Sequence, residues 1–182
     1  MVEVADLITR AQAGDEDAFV ELYEQHRSAV FTYIFYRVGD QATAEELMAE
    51  VFCRMVISIQ DFTSRGKPIL AWLYTIARNL VIDHHREIAR LRVVPLDNRI
   101  VAETKNPEAV AESSLNADCL RRALSRLTEE QRLVILLKFV ENRSNPEVAT
   151  IMVKTEGAVK SLQHRALGAL KRAIAKEGCY EP

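Results

Sequence analysis

Glycine and proline are scarce in this chain, 6 and 5 among 182 residues. That excludes a turn-rich β architecture and favours helices. Cysteine is scarcer still. Cys53, Cys119 and Cys179 are odd in number, widely spaced and form no Cys-x-x-Cys pair. Neither a disulfide framework nor a zinc site is expected, and the three read as isolated reduced thiols. Long apolar runs are missing too. The longest, Ile69 to Ala77, is interrupted by Thr75 and falls far short of the roughly 20 residues of a membrane span. The N-terminus lacks the basic and then apolar layout of a signal peptide. The expected location is therefore the cytoplasm, with no membrane insertion. Chemistry-bearing motifs are absent as well. No glycine-rich phosphate loop occurs, and His84 and His85 are adjacent rather than spaced as a helical metal pair. Asp83 beside them has no nucleophile for company. The chain is not read as an enzyme, and no catalytic residue, metal or cofactor is expected.

What is present is an apolar fraction of 48% with 27% charged residues, the balance of a globular chain. The net charge of −2 is unevenly placed: −4 over residues 1–92, −2 over 93–116 and +4 over 117–182. Residues 154–176 hold six basic side chains against Glu156 alone. A basic C-terminal cluster suits nucleic acid. A solvated basic helix has the same composition, so charge alone does not decide.

Apolar spacing predicts successive amphipathic helices in the first half, broken at Gly14-Asp15 and Gly39-Asp40. A helix over Glu45–Ile59 carries Leu47, Val51, Met55 and Ile59 on one stripe. After a polar break at 60–67, Pro68 precedes a long helix expected from Ile69 to Arg92. Residues 93–116, with Pro95 and Pro107, read as a flexible linker. Helices resume after it. Thr128-Glu129-Glu130-Gln131 forms a capping box, and the apolar run Leu133–Val140 is expected to be well buried. Ser144 or Asn145 caps a short helix that has Pro146 in its first turn. The fold class is all-α: two small helical domains, 1–92 and 117–182, joined by the linker.

Two constellations point to function. A short helix over 146–152 and a longer one over 155–176 are joined by only Val153 and Lys154, the spacing of a helix-turn-helix. On the second helix, Val159, Leu162, Ala166 and Leu170 gather on one side. Thr155 opens that helix, and Lys160, Ser161, His164 and Arg165 fall on or toward the other side. Such donors suit phosphates and base edges, with Arg165 able to address guanine in a bidentate way. The other constellation is the run Trp72–Arg86, which joins aromatics to Arg78, Asn79, Asp83 and Arg86. Arg65 and Lys67 lie in the loop before it. Aromatics beside cations serve as platforms for unpaired bases. Among Leu70, Leu73 and Ile76, however, Trp72 reads more readily as core.

These residues carry a family resemblance over nearly the whole chain. Gly14-Asp15-x-x-Ala18-Phe19, Ala44-Glu45-Glu46-Leu47-x-x-Glu50-Val51-Phe52, Trp72-Leu73-x-x-Ile76-Ala77-Arg78-Asn79-x-x-x-Asp83-x-x-Arg86, Leu127-x-x-Glu130-Gln131-Arg132 and Glu156-Gly157-Ala158-Val159-Lys160-Ser161-x-x-x-Arg165-Ala166 occur in that order. The chain resembles the extracytoplasmic-function (ECF) sigma factors of the sigma-70 family.

The resemblance implies that residues 1–92 are sigma region 2 and 117–182 are sigma region 4. It implies core RNA polymerase, promoter DNA and an anti-sigma factor as partners. Glu45, Glu46, Leu47, Glu50, Phe52 and Arg54 would bind the clamp helices of core polymerase. Arg65, Lys67, Arg78, Asn79, Asp83 and Arg86 would capture and melt the −10 element. Thr155, Lys160, Ser161, His164 and Arg165 would read the −35 element, and the linker would thread the polymerase cleft. The chain departs from the family pattern in four places. Asn142 stands where glycine is usual, Asn145 where an aromatic is usual, and Ala49 where a polar contact residue is common. Leu162-Gln163 replace an arginine followed by an apolar residue. Two other readings compete. A helix-turn-helix regulator outside this family would leave the Trp72–Arg86 run unexplained, and an enzyme lacks the residues for chemistry.

Overall fold

A computed structural model describes residues 2–64, 67–91 and 119–177, with side chains from residue 5 onward. The 93–116 linker and Arg65 lie outside the described residues. Four helices make the N-terminal region: α1 (Val2–Gln12), α2 (Glu16–Val38), α3 (Gln41–Ser58) and α4 (Ile69–Leu91), with a 3-10 turn at Ile59–Asp61. The C-terminal region has α5 (residues 119–125), α6 (Glu129–Ile135), α7 (Asn145–Met152) and α8 (Glu156–Glu177). No strand occurs among the described residues, as the composition implied.

Helix ends follow local side-chain chemistry. Asp15 caps α2 by accepting from the Asp17 and Ala18 N–H groups. Asp40 does the same for α3 through Thr43, so α3 begins four residues before the apolar stripe suggested. Gly39 ends α2 in the left-handed conformation, φ 80°, and its N–H bonds to Phe35. Glycine reaches that backbone region without steric cost.

In the N-terminal region, α2 packs on α3 and α4, and α1 closes one side of α2. Leu22, Val30 and Ile34 of α2, Val51 and Met55 of α3, and Leu73 and Ala77 of α4 meet with almost no solvent exposure. Gln12 ties α1 to the segment after α3 by donating to the Ile59 and Phe62 carbonyls. In the C-terminal region α6 and α7 both pack against α8. The α6 helix continues into a π-helical turn over Leu136–Val140, which the sequence pattern did not foretell. Leu136 and Leu137 there are buried, while Phe139 and Val140 face solvent. The expectation that the whole run is buried is thus corrected. The wider turn rotates its last two residues off the core stripe.

The two regions pack against each other, and their buried apolar residues form one continuous cluster. The cysteine expectation also needs correction. Cys53 is exposed and free, but Cys119 is disulfide-bonded. Widely spaced cysteines say nothing about pairing until the chain is folded.

Candidate nucleic-acid and polymerase interfaces

The helix-turn-helix forms as expected. Ser144 opens α7 with a reciprocal capping box to Glu147, and Pro146 sits in the first turn. The turn is made by Val153 in the left-handed conformation, φ 55°, and Lys154 beside it pairs with Glu130 of α6 at 2.8 Å. Thr155 caps α8 by accepting from the Ala158 N–H at 3.2 Å. Val159, Leu162 and Ala166 are buried, so the shifted apolar position at Leu162 still reaches the core.

All five residues expected to read duplex DNA, Thr155, Lys160, Ser161, His164 and Arg165, are exposed. Arg165 reaches back to the Ser161 carbonyl at 3.4 Å, a long contact that a DNA acceptor can displace. The motif left out two neighbours. Gln131 and Arg172 join His164, Arg165 and Gly168 around one polar depression. Arg172 stands seven residues after Arg165, two helical turns along the same face, and that spacing is the signal.

In the N-terminal region, Lys67, Arg78, Asn79, Asp83 and Arg86 are exposed. Asp83 and Arg86 pair with each other at 3.3 Å. Trp72 is half-buried and meets the Phe62 ring at 4.8 Å between centroids. It is therefore neither a sealed core residue nor an open platform. With Phe62, Lys67 and Arg78 it lines a cleft of about 590 Å³, whose far wall comes from Glu129, Ile151, Val153 and Lys154 of the other region.

The polymerase-contact set divides. Glu45, Glu46 and Arg54 are exposed, and Glu50 is half-buried. Arg54 bonds Glu50 at 2.7 Å, and Gln41 donates to Glu45 at 2.8 Å. Leu47 turns inward against the core instead, as a member of the stripe with Val51 and Met55. Phe52 is buried, its ring edge on Tyr23 at 4.8 Å, and forms the floor of an apolar groove between α2 and α3. Phe19, Val20, Tyr23, Ala49, Cys53, Val56 and Ile57 line that groove. Ile57 is 79% exposed and Val20 60%, high values for large apolar side chains at one place. Sequence reasoning passed over this groove. Its signal was a second apolar stripe, Ala49, Cys53, Val56 and Ile57, one step around α3 from the core stripe. Ala49 is what keeps its wall low. Glu45 and Glu46 stand one turn before Ala49, which places carboxylates at one end of the groove.

Among the described residues no cluster of His, Cys, Asp and Glu suits a metal ion, and no helix is long and apolar enough to cross a membrane. A cationic helix-turn-helix beside a helical body with an aromatic and basic helix defines a DNA-binding transcription factor of two regions. Comparison with known proteins gives the family. The sigma-70 region 2 model matches residues 22–91, and the sigma-70 region 4 model matches residues 117–170. The chain is 43% identical over 93% of its length to the ECF RNA polymerase sigma factor BldN of Streptomyces coelicolor, spanning 65% of that relative. It is 34% identical over 96% of its length, and 85% of the relative's, to the ECF RNA polymerase sigma factor SigD of Mycobacterium tuberculosis. It shares the fold of the sigma factor RpoE of Bartonella quintana, solved with the anti-sigma factor NepR. That match has a TM-score of 0.55 at 20% identity and covers 86% of this chain and 96% of that one. The chain belongs to the ECF sigma factors of the sigma-70 family, regulatory subunits that direct transcription initiation by RNA polymerase.

Proposed function

We propose that this sigma factor docks on core RNA polymerase through the α2–α3 groove, with Phe52 as its floor and Glu45, Glu46, Glu50 and Arg54 around it. The groove supplies apolar area for a helical partner, and the rim supplies orientation. The −35 element is read as duplex by Thr155, Lys160, Ser161, His164 and Arg165. The −10 element is opened and held by Lys67, Arg78, Asn79, Asp83 and Arg86, with Arg65 in the adjoining loop. Phe62 and Trp72 offer the stacking surface that an extruded base needs. The observation that carries this reading is the pairing of two features in one chain: exposed donors over the buried Val159, Leu162 and Ala166 stripe, and an open apolar groove on the other region. A free-standing repressor has no use for the second.

The protein then acts in the cytoplasm, where polymerase and promoter DNA are, and has no catalytic activity of its own. An anti-sigma factor is its expected antagonist, as NepR is the partner of RpoE in the solved complex.

In-vitro transcription with purified core polymerase on fragmented host DNA tests the reading. Discrete start sites that depend on the protein are expected, and the DNA upstream of them gives the promoter. Asn79→Ala should impair opening while sparing duplex binding. No core binding and no new starts, with tight duplex binding by the isolated chain, would instead identify a helix-turn-helix regulator.

A further inference from the structure

Two guanidinium groups share the outer face of α8 with no acid between them. Ser161, Arg165, Gly168 and Arg172 fall on one narrow stripe at about 100° per residue. Arg165 and Arg172 line the same polar depression, together with His164, Gly168 and Gln131 of α6. No carboxylate lines it, and among the described residues neither arginine has an ion-pair partner. The contrast lies at the end of the same helix. There Arg122 and Arg126 also converge, and Glu177 accepts from both. Two arginines that converge to hold the fold have a carboxylate between them. The pair at 165 and 172 has none, and like charges placed side by side favour an anion from outside.

The other lining groups suit that anion. Gly168 puts no side chain on the floor. A Cβ there would stand 3.6 Å from the Arg172 Nη1 atom, so the guanidinium lies along the helix face beside the glycine. Gln131 accepts at Oε1 from the Thr128 N–H at 3.1 Å, as part of the capping box that opens α6. This orients the amide, and its NH2 end is the one left for an outside acceptor.

We propose that Arg172 and Gln131 clamp one DNA backbone phosphate at the edge of the −35 element and so set the depth and register of α8. The proposal rests on the sigma-factor reading above and extends the DNA contact two helical turns beyond Arg165. A recognition helix enters the major groove with its N-terminal residues at the base edges. The groove is about 8.5 Å deep. From Arg165 to Arg172 the helix rises about 10 Å, at roughly 1.5 Å per residue. With Arg165 at a base edge, Arg172 therefore stands level with the phosphates of the groove rim. Phosphate contacts carry no sequence information, but they fix the orientation in which base contacts are made. Arg172 is a positioning residue, and Arg165 keeps the base edge.

The test uses core polymerase carrying the full-length protein, on duplexes that contain the −35 element. Wild type is compared with Arg172→Ala and Gly168→Glu. Arg172→Ala should weaken binding roughly 10-fold, equally for every variant of the −35 sequence. It should also lower the slope of log affinity against log salt by about 1. Gly168→Glu leaves Arg172 in place, favours helix over glycine and puts a carboxylate one turn before the arginine. By circular dichroism it should retain its helix content, yet it should weaken duplex binding at least as much as Arg172→Ala. Single uncharged methylphosphonates, moved one position at a time along both strands, locate the contact. One position at the edge of the element should weaken wild type and leave Arg172→Ala unaffected. If every such substitution weakens both proteins by the same factor, or if the Arg172→Ala loss varies with base sequence, the clamp is overturned. A wild type that shows no −35 preference on core polymerase refutes the sigma-factor reading instead. The isolated chain on plain duplex then still judges the clamp, which a salt slope unchanged by Arg172→Ala overturns.

Discussion

Region 2 is made mostly of long helices and region 4 mostly of short ones, and the two secure their helix ends differently. Helices α2 and α4 have 23 residues each and α3 has 18, against 7 for α6 and 8 for α7. Isolated helices below about 12–15 residues are marginal in water. Both short helices open with a reciprocal capping box, Thr128 with Gln131 and Ser144 with Glu147. The long α2 and α3 have single aspartate caps and depend on buried stripes. Charge divides the same way, −4 over residues 1–92 and +4 over 117–182. The apolar groove belongs to the first region and the cationic helix face to the second. The first region can rely on a broad core, whereas the second is slender, so end chemistry carries more of its stability.

The sharpest way to break that comparison is to truncate one core residue in each region. Leu73 of α4 is wholly buried and Leu162 of α8 is 5% exposed. Leu73→Ala should destabilise by about 3–5 kcal/mol and Leu162→Ala by about 2–3 kcal/mol, both within the usual range for such truncations. Urea unfolding followed by circular dichroism measures both. If Leu162→Ala costs as much as Leu73→Ala, the slender-core account is wrong.

Acid probes the seam between the regions. His26 of α2 has both ring nitrogens buried without a partner. Burial, and secondarily Arg143 of region 4, lower its pKa from 6.5 to about 4. The unfolded chain therefore takes up this proton first. The stability tied to neutral His26 is complete above pH 6.5 and is lost as pH falls from there to about 4, by at most about 3 kcal/mol at 1.36 kcal/mol per pH unit. His26→Leu should flatten that part of the stability–pH curve. An unchanged slope in the variant would show that His26 is not the titrating group.

The DNA face allows a narrower test. Arg165→Ala should weaken binding of a −35 duplex by the holoenzyme by about 1–3 kcal/mol if its guanidinium addresses a guanine, measured by competition at fixed salt. A loss that is equal for every duplex sequence would reassign Arg165 to phosphate.

Much of this was legible in the residues. The all-α class, the two regions, the caps at Thr128 and Ser144 and the exposed Thr155–Arg165 face follow from period and capping chemistry, which are local. Asn142, where the family has glycine, occupies φ 53°, a conformation asparagine tolerates better than most. What escaped is non-local. The groove on α2 and α3, the π-helical turn that exposes Phe139, the Cys119 disulfide and the Tyr33–Arg37–Glu129 contact all depend on which helices meet. A single helical period does not encode that.

Left-handed backbone positions set the two regions apart once more. Among the described residues, region 2 fills its two with glycine, Gly14 at φ 87° and Gly39 at φ 80°, whereas region 4 places Asn142 and Val153 there. For a β-branched residue this conformation is an outlier, and its cost is roughly 1–2 kcal/mol. Val153 is 55% exposed, so little packing offsets the strain. Val153→Asn should therefore stabilise the protein by up to about 1 kcal/mol, raising the thermal midpoint by roughly 2–4 °C. Val153→Gly should gain less, because glycine also loses more chain entropy on folding. If Val153→Asn is no more stable than the wild type, the turn is not strained, and the contrast with Gly14 and Gly39 has no energetic content. If it is more stable but weaker on −35 DNA, the strained turn holds α8 at the angle that reading requires.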